Sequence, residues 1–192
     1  MKKTLMAVLI GLLFIFVSCS SANDLENAFD KMETVDSYRM DMKMTNVPFV
    51  GSMSITVKQD GDMTYSSNPL LTEGLYQKTI DGEVYDYILQ EDGSYELSTT
   101  PSSDEEEDLE YVDSLDYNDF SETDDMTWTM KTDRIYLDEN ESEYMENVVI
   151  TLNNQGYFDT INFSVTTEGL TLDVEITFTD YNNTTVELPT NN

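Results

Sequence analysis

The sequence predicts a mainly β, α+β domain: one antiparallel, strongly twisted sheet of about eleven strands wrapped against an N-terminal helix. Three observations carry this reading. Apolar and polar residues alternate with a period of two along most of the chain. Asp-Gly pairs at 60–61, 81–82 and 92–93 separate successive runs, as tight hairpins require. Between the runs no long helical pattern occurs, so there are no crossovers to make neighbouring strands parallel.

The elements follow in order. Asn23-Asp24-Leu25-Glu26 offers a helix N-terminus, and Leu25, Ala28, Phe29, Met32 and Val35 then recur at helical spacing, which predicts one amphipathic helix from Asp24 to Val35. Its one-sided apolar stripe suits a lid or a core helix. From Ser37 the period becomes two. Tyr38, Met40, Met42 and Met44 alternate with Arg39, Asp41, Lys43 and Thr45, and Phe49, Met53, Ile55 and Val57 alternate with polar partners before Asp60-Gly61. Leu75 to Ile80, Glu83 to Gln90 and Ser94 to Thr99 continue as a meander.

Residues 101 to 125 hold twelve carboxylates, including the run Asp104-Glu105-Glu106-Glu107-Asp108, with Leu109, Val112, Leu115 and Phe120 scattered among them. Adjacent acids repel one another, so this stretch predicts an acidic insertion: a solvated loop with a short, weak helix. Strand patterns then return at Met126 to Met130, Ile135 to Leu137, Tyr144 to Leu152, Tyr157 to Val165, Leu170 to Phe178 and Thr184 to Leu188. Residues 24–189 form one domain, and 190–192 a tail.

Composition removes several function classes. The 192 residues carry 9 Lys and Arg against 39 Asp and Glu, no His and one Cys, for a formal charge of −30. Without imidazole there is no His-based triad, histidine metal ligand or neutral-pH switch. A single cysteine excludes an internal disulfide and a cysteine zinc site. So acidic a surface repels phosphate backbones, and no nucleic-acid partner is expected.

The first residues read Met1-Lys2-Lys3-Thr4, then an uncharged apolar run from Leu5 to Val17. That is the n-region and h-region of a signal peptide, residues 1–18. The run spans roughly 20 Å as a helix, short of the ~30 Å hydrocarbon core, which argues against a permanent membrane span. Phe16-Val17-Ser18-Cys19 resembles the lipobox of bacterial lipoproteins, with Phe16 where Leu is usual. That resemblance makes Cys19 the lipid attachment site, acylated with chains such as palmitate, and residues 19–23 the tether. The expected location is the extracytoplasmic side of a cell membrane or envelope. Lipid rather than a basic patch must do the anchoring, because the exported part has 7 bases against 39 acids.

Further along, Ala28-Phe29-Asp30-Lys31-Met32, a first strand rich in Met and Tyr, and the closing Phe178-Thr179-Asp180-Tyr181-Asn182-Asn183 with Val186-Glu187-Leu188-Pro189 resemble the LolA/LolB and LppX/LprG-like lipoproteins. The resemblance spans most of residues 24 to 189 but not the acidic stretch. It implies a curved half-barrel of about eleven strands, with helices covering an apolar cavity that holds an acyl chain or lipid. The ligand-binding candidates would then be Tyr38, Met40, Met42, Met44, Met53, Ile55, Trp128, Met130, Phe163, Val174 and Phe178. Methionine suits irregular apolar ligands through its flexible thioether. The competing reading of the same residues is plain core packing.

Paired carboxylates for glycoside hydrolysis are too easily found among so many acids to mark a site. Asp113, Asp116, Asn118, Asp119, Asp124 and Asp125 are calcium-type ligands, yet the EF-hand spacing and its glycine are missing. Asn162-Phe163-Ser164 and Asn183-Thr184-Thr185 match a glycosylation pattern that a bacterial lipoprotein makes moot. The expectation is therefore a non-enzymatic lipoprotein without metal or cofactor that binds an apolar ligand between sheet and helix. The alternative is a structural or protein-interaction lipoprotein whose core is filled and whose acidic loop meets a cationic partner.

Overall fold

The sheet is open, not closed into a barrel, and its twelve strands run antiparallel throughout. The computed structural model describes residues 22–67, 74–102, 114–138, 140–167 and 169–189. The stretch 1–18 expected as a signal peptide, Cys19, the acidic run at 104–108 and the tail at 190–192 lie outside these residues. Helix α1 (Ala22–Thr34) is followed by β1 (Ser37–Val47), β2 (Gly51–Asp60), β3 (Met63–Ser67), β4 (Leu75–Ile80), β5 (Glu83–Leu89) and β6 (Tyr95–Leu97). A 3-10 turn at Tyr117–Asp119 leads into β7 (Phe120–Asp124), β8 (Thr127–Met130), β9 (Ile135–Tyr136), β10 (Tyr144–Leu152), β11 (Phe158–Thr167) and β12 (Leu170–Thr179). This is the expected class, a curved half-barrel, with one α-helix among the described residues.

The spatial order is β6-β5-β4-β3-β2-β1-β12-β11-β10-β8-β7, with β9 also on β10. Neighbours are consecutive in sequence except at two places: β10 pairs β8 past the short β9, and at the central seam β1 meets β12, where Met40 faces Phe178, Met42 faces Ile176 and Met44 faces Val174. The chain thus builds two meanders outward from its two terminal strands. Strands β6 and β7 hold the outermost positions of the sheet.

Three strand assignments differ from the sequence reading, the first being β3 (Met63–Ser67), for which no strand was expected. The sheet resumes at Phe120, so β7 lies within the stretch read as an acidic loop, and the only helical turn described there is the one at Tyr117–Asp119. Four of its five residues are exposed, as a polar edge strand allows, and only Phe120 is buried. Conversely, Thr184 to Leu188 is not a strand. The Thr184 amide donates to Ser37 Oγ at 3.2 Å and the Val186 amide to Asp60 Oδ2 at 3.1 Å. Both sides of β1 are already taken by β2 and β12, so this segment is pinned by side chains where no ladder is free.

The core lies on the inner face, the one covered by α1. Leu25 and Ala28 of α1 are fully buried against it, and the Phe29 ring meets Phe158 edge-on at 5.1 Å. Strand β10 keeps its apolar side inward only through a bulge. Asn147 takes a φ of 58°, the register slips between Glu146 and Val149, and Met145, Val148, Ile150 and Leu152 are all buried. Asparagine tolerates that left-handed conformation better than most residues.

Beyond β2 the faces exchange character. Val57 pairs with Ser66, and Gln59 with Thr64, so on β3 the polar residues continue the inner face. Lys58 pairs with Tyr65 and Tyr65 with Tyr76, which places the tyrosines outside. The rings of Tyr65, Tyr76 and Tyr95 follow one another at 4.9 and 5.3 Å, with the Lys58 ammonium 5.8 Å from the Tyr65 centroid. Among the described residues, the buried core takes no side chain from β3 to β6.

Candidate functional site

Register brings nearly all the candidate residues onto one surface. Across the inner face, Ile55, Met42, Ile176, Ile161, Ile150 and Trp128 oppose one another in a single transverse row over six strands. A second row joins Met53, Met44, Val174 and Phe163, and a third joins Val57, Met40 and Phe178. Tyr38 reaches the same surface, its ring 6.2 Å from Phe178. Met130, paired with Phe120, closes it toward the β7 edge.

Met40, Met42, Trp128, Phe163, Val174 and Phe178 are buried in the core, while Tyr38, Met44, Ile55 and Met130 are half-buried against it. Met53, at the end of its row, is half-buried as well. The sequence reading named these positions but passed over Ile150, Ile161 and Ile176, which are completely buried at the centre of the longest row. Their signal was present in the period-two pattern of β10 to β12. The reading favoured methionine and aromatic residues as ligand contacts and left out the isoleucines between them.

One polar atom stands out on this surface. Trp128 is 2% exposed, and its Nε1 is buried without a hydrogen-bond partner among the described residues. A buried donor left without an acceptor is uncommon in a folded interior and costs on the order of 1–3 kcal/mol. Above the surface, Leu115 is buried in the core and the Tyr117 ring lies 6.4 Å from Phe29. The segment that enters β7 and helix α1 therefore cover the inner face together.

Helix α1 is fastened at one end of the sheet. Lys31 Nζ donates to the carbonyl of Gln155 at 2.6 Å and to that of Gly156 at 3.3 Å, and it lies 4.9 Å from the Tyr157 ring centroid. Gly156 suits this contact in two ways: its φ is +73°, and a Cβ there would come within 2.7 Å of Lys31 Nζ. Tyr157 stacks on Tyr181 at 4.4 Å, and the Tyr181 hydroxyl donates to the Phe158 carbonyl at 2.8 Å. Burial pushes the Tyr181 phenol well above its ordinary range, with the neighbouring Tyr38 adding to the effect. A groove of about 580 Å³ runs beside the helix, lined by Asp24, Asn27, Asp30, Lys31, Asn154 and Gln155 among others. Polar side chains and Met126 share its lining, unlike the rows beneath.

The acidic side chains carry no comparable arrangement. Asp116 accepts from the Asn118 amide and side chain, both at 2.8 Å, and Asp124 accepts from the Asp125 amide, so these carboxylates shape turns. Among the described residues, no group of three or more Cys, Asp or Glu is placed to hold a metal ion. Among the same residues, no helix is long and apolar enough to cross a membrane.

Compared with known proteins, the chain matches no family model and no curated protein sequence. Among solved structures it is similar to the lipoprotein LppX of Mycobacterium tuberculosis, with a TM-score of 0.42 and 9% identity over 88% of this chain and 97% of that one. A likeness of that degree carries no argument about function.

Proposed function

We propose that the protein is an exported lipoprotein, anchored through Cys19, that binds an apolar ligand bearing at least one oxygen acceptor, such as a lipid or acyl ester, between the inner face and α1. The observation that carries this reading is Trp128 Nε1, buried without a partner among the described residues on a surface of mostly apolar side chains. An ester carbonyl lying along the central row would accept that hydrogen bond, and its chains would meet methionine and aliphatic side chains. Removing apolar ligand surface from water contributes about 25 cal/mol per Å². The ligand enters by displacing α1, which releases the Lys31 fastening and lifts Leu25, Ala28 and Phe29 from the inner face. No bond is made or broken, and the acidic surface takes no part in holding the ligand.

The close packing of Ile150, Ile161 and Ile176 beneath α1 favours a second reading, a scaffold whose inner face is filled by its own side chains. Native mass spectrometry of the protein purified without detergent separates the two. A stoichiometric adduct, extractable as a lipid and lost in Trp128→Phe, supports the carrier. A clean apo mass after incubation with membrane lipids refutes it.

A further inference from the structure

Charge is sorted between the two faces of the sheet. Every Lys and Arg within a described strand lies on the outer face: Arg39 and Lys58 oppose each other there, Lys43 opposes Glu175, and Lys78 opposes Tyr85. The charges of the inner face are carboxylates. Asp86 of β5 and Glu96 of β6 lie beyond the apolar rows, opposite Gln77 and Ile88, and Asp86 accepts from the Gln77 side chain at 3.0 Å.

Glu122 is placed differently. On β7 it opposes Trp128, as Phe120 opposes Met130, so it ends the longest apolar row one strand past the tryptophan. Trp128 is 2% exposed, with its Nε1 buried and without a partner among the described residues. Glu122 is exposed, and among the same residues no hydrogen bond or ion pair engages its carboxylate. Lys131 does not neutralise it. One residue past inward-facing Met130, it alternates to the other side of its strand, where its ammonium donates to the Asn118 carbonyl at 2.6 Å. An unfilled donor and an unfilled carboxylate thus stand side by side at the β7 end of the row.

We propose that the ligand under α1 carries an ammonium a few bonds from its ester carbonyl, and that Glu122 selects it. This assignment rests on the proposed function. A carbonyl on Trp128 Nε1 places the atoms that follow it over β7, because neighbouring strands lie about 4.8 Å apart. A positive head there meets the Glu122 carboxylate while keeping part of its hydration at the exposed edge, so little desolvation offsets the attraction. A free fatty acid or a phosphate in the same position is repelled by Glu122 and finds no strand cation on the inner face. Lys31, the cation of α1, leaves with the helix as the ligand enters.

Lauroylcholine and its neutral counterpart glycerol monolaurate test the assignment, each titrated into the full chain by calorimetry below its critical micelle concentration. Lauroylcholine should bind roughly tenfold tighter or more, as one charge-assisted contact provides. Glu122→Gln, at an exposed position, should keep the melting temperature and bring the two esters within about threefold by weakening lauroylcholine alone. Asp125→Asn removes the same charge from the adjoining turn and should leave the preference intact. Equal affinity of the native chain for both esters, or a preference that survives Glu122→Gln, overturns the assignment and leaves the carrier reading standing. A preference lost equally in Asp125→Asn also overturns it, showing attraction to the acidic surface at large. Failure of both esters to bind refutes the carrier and the assignment with it.

Discussion

Replacing Lys31 with methionine keeps the length and apolar stem of the side chain and removes the cation that ties α1 to the β10–β11 turn. The variant loses a 2.6 Å bond to Gln155, a longer 3.3 Å bond to Gly156 and the contact with the Tyr157 ring. A hydrogen bond from a charged donor contributes about 1.5–3 kcal/mol net, with the low end appropriate where water reaches the acceptor, as it does at exposed Gln155. An exposed cation–π contact adds about 0.5–1 kcal/mol. Allowing for rehydration of the two carbonyls, the loss comes to about 1–2 kcal/mol. That corresponds to a roughly 5- to 30-fold fall in protection of the α1 amides, at 1.4 kcal/mol per tenfold. Hydrogen exchange reads it directly, since Leu25, Ala28 and Phe29 keep the helix in place but no longer locked at its end. Gly156→Ala should destabilise in the native background and do so less in the Lys31→Met background, because the atom its Cβ strikes is gone. Protection of α1 unchanged within twofold in Lys31→Met would show that apolar packing alone holds the helix, and would refute the release route for ligand entry.

Other consequences are open to measurement. Ile161→Ala removes buried volume at the centre of the longest row and should lower stability by about 2–5 kcal/mol in urea unfolding. Asn147→Val places a β-branched residue at a φ of 58° and should lower it by about 1–2 kcal/mol, with Asn147→Gly close to native. The Tyr181 phenol is raised in the folded state, so its contribution is present below the ordinary value of 10.0 and is lost as pH rises above it. Of the phenolate absorbance of the twelve tyrosines, the share that Tyr181→Phe removes should therefore appear only with alkaline unfolding. Asp41 is held below the ordinary carboxylate range by hydrogen bonds from Arg39, with Thr56 assisting, and its contribution is present above about pH 4 and lost as pH falls through the folded value. The pair is 40% exposed on both sides, so acid unfolding of Arg39→Met should begin only slightly earlier, by less than about 1 kcal/mol.

What the sequence made legible depended on burial. Strands β1 and β10 to β12 have one wet and one dry face, and their alternation fixed class, register parity and most of the inner face. Strand β3 was missed because Met-Thr-Tyr-Ser-Ser is half-buried on both sides and shows no contrast. Strand β7 was missed because an edge strand of Ser-Glu-Thr-Asp carries the composition of a loop. Thr184 to Leu188 failed in the opposite sense: its pattern is that of a strand, but pairing is decided by which edges are free. The orphaned Trp128 donor was beyond sequence altogether, since it depends on which acceptors the other strands bring near. The exchange of faces at β3 could have been read from Tyr65, Tyr76 and Tyr95, had their register against Lys58 been known.

The seam between β1 and β12 has a kinetic meaning. Pairing of residues 39–45 with 173–179 closes nearly the whole chain into a loop, whereas almost every other ladder joins sequence neighbours. Local hairpins of either meander form early, but the central rows are complete only when the first and last strands find each other. The β10–β12 half can collapse on its own isoleucines, while β2 to β6 has almost no core to hold it until β1 is zipped. During synthesis β12 emerges last, so the earlier strands must wait with β1 unpaired on one side and its methionines uncovered.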